Sequence, residues 1–118
     1  TVNKSHFVPD EYFQLPEVVR VMQWHSETFD IPKGAIRLAE NQACPNQLYQ
    51  IGKNVLGFQF HPEITPHSLE IFIEHEENDM VFSQELALSL SGLKKSQQMD
   101  YMNGNQLLNH AIDYVLRV

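Results

Sequence analysis

The feature that most constrains the fold is the stretch Val55–Pro66, where an apolar run stops abruptly at a histidine, a proline and a glutamate. Residues 55–60 are almost continuously apolar, which is typical of a strand covered on both faces of a sheet. Pro62 cannot donate a hydrogen bond to a neighbouring strand, so regular pairing should end there. We therefore predict a buried central strand that stops at His61.

A helix is predicted directly after this strand. Thr65 is a suitable N-cap, and Pro66 falls at the first helical position, where its missing N–H costs nothing. His61 and Glu63 then lie at the carboxyl end of a strand, where open α/β sheets place their ligands. Residues i and i+2 of an extended segment point to the same side, so the pair has the arrangement of a base and the carboxylate that orients it. A strand-end histidine near a solvated glutamate has the same pattern, so both interpretations stay open here.

Length, charge and cysteine content limit the classes of protein to which the chain can belong. Its 118 residues suffice for one domain with a core, and an apolar fraction of 42% is ordinary for a globular protein. The net charge of −7 argues against nucleic acid as a partner, because neutralising phosphates needs a basic surface. We find no membrane span and no signal peptide. Cys44 is the only cysteine, so an intrachain disulfide is impossible and a cytoplasmic location is expected.

The rest of the chain predicts strands followed by helices, an α/β arrangement. Residues 1–16 lack a clear pattern and are predicted to be an irregular connection, and residues 92–101 are predicted to be a polar connection. A turn at 52–54 joins the last two strands as a hairpin. The predicted strands span residues 18–24, 35–40, 47–51 and 55–60. The predicted helices span residues 66–76, 83–90 and 105–117, the last of them carrying a clear apolar stripe.

Three blocks, Trp24–Ala35, Cys44–Tyr49 and Gly57–Glu63, occur in an order and spacing that resemble a known family. They are similar to the carboxyl-terminal half of the class I (triad) glutamine amidotransferases, particularly to the stand-alone members that are similar to the amidotransferase domain of GMP synthase. The block Gln-Phe-His-Pro-Glu is the most specific part, and the resemblance covers about residues 18–74. It implies a flavodoxin-like α/β fold with helices on both sheet faces, of which residues 1–118 form the carboxyl-terminal part of one domain.

The resemblance also implies a reaction. Members of this family hydrolyse the side-chain amide of glutamine through a cysteine thioester and pass the ammonia to an acceptor. His61 would be the general base and acid, and Glu63 would orient it. The main chain of Ser26 and Glu27 would meet the amino-acid end of glutamine, with His25 beside it. A buried structural histidine is the alternative for His25. We predict no cofactor.

The nucleophile of that family is not found in this sequence. The family carries its cysteine in a Gly-x-Cys-x-Gly turn, and no such motif occurs here. Cys44 is a poor substitute, because Pro45 has no N–H to donate to an oxyanion. We expect an amino-terminal half or a partner to carry the cysteine, and this chain alone to be inactive. We expect the exposed sheet edge to pair with a partner, and a second copy of the chain is one candidate.

Two other functions remain open. The first is a non-catalytic amidotransferase-like module that binds or regulates a partner, but the presence of both His61 and Glu63 favours the enzyme. The second is a metal site that adds His67 and His75 to this pair. It is the weaker of the two, because the spacing is not typical of metal ligands and thiolates are lacking. We therefore predict no metal.

Overall fold

The computed structural model describes residues 1–25, 27–79, 84–96 and 101–117. Within these ranges five strands precede three helices, which confirms the mixed α/β class. The strands are β1 (Val2–Lys4), β2 (Val18–Val19), β3 (Ala35–Glu40), β4 (Leu48–Ile51) and β5 (Val55–Phe58). The helices are α1 (Pro66–Asp79), α2 (Gln84–Ser96) and α3 (Met102–Leu116).

The five strands form one sheet in the order β2-β1-β3-β4-β5, and each neighbouring pair is antiparallel. The predicted strand over 35–40 is confirmed at both ends as β3. The predicted hairpin is also confirmed, because Leu48 pairs with Phe58 and Ile51 with Val55. Gly52 takes a φ of +62° in the connecting turn, a left-handed conformation that glycine adopts without steric cost.

The structure corrects two of the predicted strands. β5 spans Val55–Phe58 and lies at the edge of the sheet with its residues exposed or half-buried, so the prediction of a central strand covered on both faces is wrong. The predicted strand over 18–24 shortens to two residues, and Met22 beyond it forms an isolated bridge with His61. An apolar run shows that residues favour burial, but the order of the strands depends on distant pairing partners.

β1 lies inside the amino-terminal stretch that was predicted to be irregular. Its three residues pair with β2 on one side and with β3 on the other. Val2 is fully buried in the process. So short a strand has almost no periodicity of its own, and it forms because two neighbouring strands satisfy its backbone.

Two apolar clusters make up the core. The sheet cluster joins the strands to α3 and contains Val2, Phe13, Leu15, Val19, Val21, Leu38, Ala39, Leu48, Phe60, Leu107 and Ala111. The helical cluster joins α1, α2 and the residue before α3 and contains Met22, Ile64, Leu69, Ile73, Leu90, Leu93 and Tyr101. Residues 60–64 therefore pass from one cluster to the other, and His61 lies at this crossing.

α1 and α2 start within one residue of their predicted positions and run past their predicted ends. Thr65 caps α1 as predicted, because its Oγ1 accepts a hydrogen bond from the Ser68 backbone N–H at 3.1 Å. The Ser68 hydroxyl accepts in return from the Thr65 N–H at 2.8 Å. α2 runs on through Gly92 to Ser96, so the predicted polar connection is wrong over 92–96, and its residues 97–100 lie outside the described residues. The described helices are too short and too polar to span a membrane.

α3 begins three residues before its predicted start and packs on the sheet through Leu107 and Ala111. This confirms the apolar stripe as a sheet-packing face. Ile112 and Leu116, which the pattern also placed on the stripe, are exposed.

Candidate active site

His61 and Glu63 meet as the sequence predicted. His61 Nδ1 lies 2.8 Å from Glu63 Oε1, and the two side chains are 37% and 52% exposed. A carboxylate at this distance accepts a hydrogen bond from the ring and stabilises its charged form. The pair therefore has the geometry of a base and its orienting group, and its exposure leaves it accessible to a reactant.

The chain holds His61 through its backbone as well as its ring. The His61 N–H donates to the Met22 carbonyl at 2.9 Å, in the isolated bridge that follows β2. Pro62 then ends the pairing, and α1 begins four residues later at Pro66. This position just ahead of a helix is the one that the sequence predicted.

The second nitrogen of the His61 ring is also occupied. Nε2 lies 3.0 Å from the main-chain carbonyl oxygen of Trp24. Both neighbours of the ring are oxygen acceptors, so an imidazolium donates to both while a neutral ring donates to only one. Trp24 itself packs edge-on against Phe72 of α1, with ring centroids 5.3 Å apart. The sequence contained no signal for this contact, because the oxygen belongs to a backbone group distant in the chain.

The segment predicted to meet the substrate lies next to His61. His25 is exposed, with Nδ1 3.0 Å from the Glu27 carbonyl oxygen and Nε2 2.8 Å from Gln23 Oε1. The alternative of a buried histidine is therefore wrong. Gln59 Nε2 donates to the same Glu27 oxygen at 2.9 Å. Ser26, the remaining predicted substrate residue, lies outside the described residues.

A chain of hydrogen-bonded amide groups connects His25 to the loop before β4, beginning at Gln23. Gln23 Nε2 donates to Gln47 Oε1 at 2.8 Å, and Gln47 Nε2 donates to the Cys44 carbonyl at 2.8 Å. Gln47 is only 1% exposed, so its hydrogen bonds are protected from water. The sequence patterns did not predict a role for either glutamine. Gln59 could have been found, because it precedes His61 by two residues and alternation along an extended segment puts both on one side.

Cys44 lies in a different setting. Its Sγ donates to Thr28 Oγ1 at 3.2 Å, and the residue lies in the loop between β3 and β4.

The hypothesis of a metal site receives no support from the structure. The described residues contain no group of three His, Cys, Asp or Glu side chains that could hold an ion.

A cleft of about 510 Å³ lies elsewhere on the surface and shares no lining residue with the His61 region. Its lining includes Gln50, whose Nε2 donates to the Tyr114 hydroxyl at 2.8 Å. The remaining lining residues are Glu11, Tyr12, Gly52, Lys53 and Arg117.

The family follows from comparison with known proteins. A family model for glutamine amidotransferase class-I matches residues 2–77, which is more than half of the chain. The chain therefore belongs to the class-I glutamine amidotransferase family. A curated relative, the glutamine amidotransferase-like protein YfeJ of Salmonella typhimurium, is 36% identical over 64 residues, covering 54% of this chain and 27% of that protein.

Solved structures agree on the fold. A glutamine amidotransferase from Thermotoga maritima superposes with a TM-score of 0.79 at 24% identity, covering 99% of this chain and 49% of that one. A glutamine amido transferase from Methylobacillus flagellatus gives a TM-score of 0.58 at 22% identity, covering 90% of this chain and 50% of that one. The chain thus spans about half the length of these structures and has the fold of the corresponding half.

Proposed function

We propose that this chain supplies the His61 and Glu63 of a glutamine amidotransferase whose nucleophilic cysteine lies outside these 118 residues. Residues 1–118 would then be the carboxyl-terminal part of one amidotransferase domain. The observation that carries the proposal is the 2.8 Å contact between the ring and the carboxylate, placed between a strand and a helix in a chain of this family. The closer likeness to GMP synthase stays a prediction.

The roles of the two side chains follow from the chemistry of amide hydrolysis. His61 takes the proton of the thiol, and the sulfur then bonds to the amide carbon of glutamine. The C–N bond breaks, and His61 returns the proton to the nitrogen that leaves as ammonia. A water molecule, deprotonated by the same ring, then cleaves the thioester, giving glutamate and the free thiol. Glu63 holds the ring in one orientation and stabilises it while it is charged.

The Trp24 carbonyl adds a requirement to this scheme. His61 Nε2 faces that oxygen at 3.0 Å, and it is the nitrogen left available once Nδ1 is on Glu63. Nε2 must exchange the carbonyl for the sulfur before it can take a proton from the thiol. We expect the cysteine-bearing segment to make this exchange when it assembles with the chain.

The test compares the protein as its own cell makes it with the 118-residue chain. We expect the protein isolated from its own cell to have a mass clearly above 13.7 kDa, the mass of the 118-residue chain, or to copurify with a cysteine-bearing partner. It should release ammonia from glutamine, whereas the isolated chain should not. Ammonia release by the isolated chain would contradict the assignment of the nucleophile, and no release by the native protein would contradict the function itself.

A second candidate is a non-catalytic module that binds or regulates a partner. The specific observation in its favour is again the Trp24 carbonyl, which occupies the ring nitrogen that a base would use. This candidate becomes the better one if the native protein proves to be the 118-residue chain alone and releases no ammonia in any complex.

A further inference from the structure

Asn105, in the first turn of α3, contacts the turn that carries Glu63. Its Nδ2 donates to the Pro62 carbonyl at 2.9 Å and to the Ile64 carbonyl at 2.8 Å. These two carbonyls stand on either side of Glu63 in the sequence. One amide group therefore uses both of its hydrogens to bracket the residue that orients His61.

This bracket constrains the backbone on both sides of Glu63. The Pro62 carbonyl and the Glu63 N–H belong to one planar peptide group. A hydrogen bond that fixes the carbonyl therefore also fixes the orientation of this peptide group, from which the Glu63 backbone continues. Ile64 is 8% exposed and packs in the helical cluster, which anchors the other side of the turn. The Glu63 side chain is half exposed, so its own surroundings do little to fix it. The backbone turn must therefore supply most of its orientation.

The amide itself is held firmly. Asn105 is half-buried, and its backbone N–H donates to the Tyr101 carbonyl at 3.0 Å. Tyr101 is 3% exposed in the helical cluster. A Cβ placed on the neighbouring Gly104 would lie 3.8 Å from the Pro62 carbonyl oxygen, an ordinary van der Waals contact. The first turn of α3 is thus packed directly on the turn that carries Glu63.

We propose that Asn105 is a positioning residue for the His61–Glu63 pair, acting through the backbone turn that presents the carboxylate. Asn105 lies beyond residues 2–77, the part of the chain that the family model matches. Its effect on turnover rests on the proposed function, but its effect on the geometry of the pair does not. A leucine or alanine there could continue the helix but could not donate to either carbonyl.

The kinetic test uses the full protein with Asn105→Ala, and Asn109→Ala as the matched control. Asn109 is exposed and lies one helical turn further along α3. Misplacing a catalytic carboxylate slows the chemical step, so kcat for ammonia release should fall about tenfold or more while KM for glutamine stays nearly unchanged. The control should change neither. An unchanged kcat in Asn105→Ala would overturn the proposal.

A double-mutant cycle separates positioning from a general structural role. In a Glu63→Ala background no carboxylate is left to position, so adding Asn105→Ala should have no further effect on kcat. An equal fall in both backgrounds would mean that Asn105 acts elsewhere, and would also overturn the proposal. If Asn105→Ala fails to fold, Asn105→Leu keeps a branched side chain of similar size and removes both donated hydrogens without adding a charge.

The geometric test needs no activity. In NMR spectra of the full protein, Asn105→Ala should shift the Glu63 backbone amide and the His61 ring signals, while Asn109→Ala should leave them in place. Unmoved signals would overturn the proposal even in an active enzyme. If the wild-type protein releases no ammonia, the proposed function fails. Signals that move in Asn105→Ala would then still support the positioning role.

Discussion

Two loops of this chain carry a residue type that amidotransferase chemistry uses, and the two residues have different hydrogen-bond partners in the structure. The loop after β5 places the His61 ring 2.8 Å from a carboxylate and leads into α1. The loop before β4 places the Cys44 sulfur 3.2 Å from the Thr28 hydroxyl and leads into a strand. The histidine ring has a carboxylate beside it, the partner of a base, whereas the cysteine sulfur donates to a hydroxyl.

The difference shows that a reactive residue type does not by itself make a catalytic group. A thiol becomes a nucleophile when a base or a positive charge favours the thiolate, and a hydroxyl supplies neither. An imidazole becomes a catalytic base when a fixed acceptor sets its orientation. The Glu63 carboxylate gives the His61 ring such an acceptor, whereas the Thr28 hydroxyl gives the Cys44 sulfur neither a base nor a positive charge.

The largest effect is expected from His61→Ala in the full protein. Removing the base should lower ammonia release by about 100- to 10,000-fold, because proton transfer contributes a factor of this size. His67→Ala is the matched control, since His67 is an exposed histidine on the first turn of α1 and has no part in the proposed reaction. A glutaminase assay gives both rates, and normal turnover by His61→Ala would refute the assignment.

A smaller effect is expected from Glu63→Gln. The glutamine amide can still meet the ring but loses the negative charge, so activity should fall about tenfold, as expected for weakening one charge-assisted hydrogen bond. Glu70→Gln removes the same charge from an exposed position on α1 and should leave the rate unchanged. If both variants slow the enzyme equally, the contact between Glu63 and His61 is not what matters.

The cap that follows this loop should matter for stability rather than for chemistry. Thr65→Ala removes the hydroxyl that accepts from Ser68 N–H, which should cost about 1 kcal/mol of the free energy of unfolding. Thr65→Ser keeps the hydroxyl and should cost much less. Thermal unfolding of the full protein measures both, and identical melting temperatures for the two variants would show that the cap is not contributing.

The smallest effect is expected from Cys44→Ser. A serine hydroxyl can still pair with Thr28, so both the fold and the rate of ammonia release should stay close to those of the wild type. Iodoacetamide should still inactivate the Cys44→Ser protein, because the thiol that matters lies elsewhere. Loss of activity in this variant would reverse the contrast between the two loops.

Much of the fold near the site could be predicted from local patterns. β3, the hairpin of β4 and β5, and the Thr65 cap each depend on residues close in the chain, so the sequence contains their signals. The spacing of His61 and Glu63 predicted their contact for the same reason. The length of α2 could not be predicted, because Gly92 weakens the helical pattern while burial of Leu93 in the helical cluster stabilises the helix there.

The sequence by itself determined that the His61 ring and the Glu63 carboxylate meet, because the two residues are two positions apart in an extended segment. Only the tertiary structure decided what surrounds them. The Trp24 carbonyl on His61 and the Asn105 amide on the Glu63 turn come from residues 37 and 43 positions away from the groups they contact. The edge position of β5 has the same origin, since it depends on which strand pairs with β4. Such contacts depend on how the whole chain packs, and local residue patterns carry no record of that.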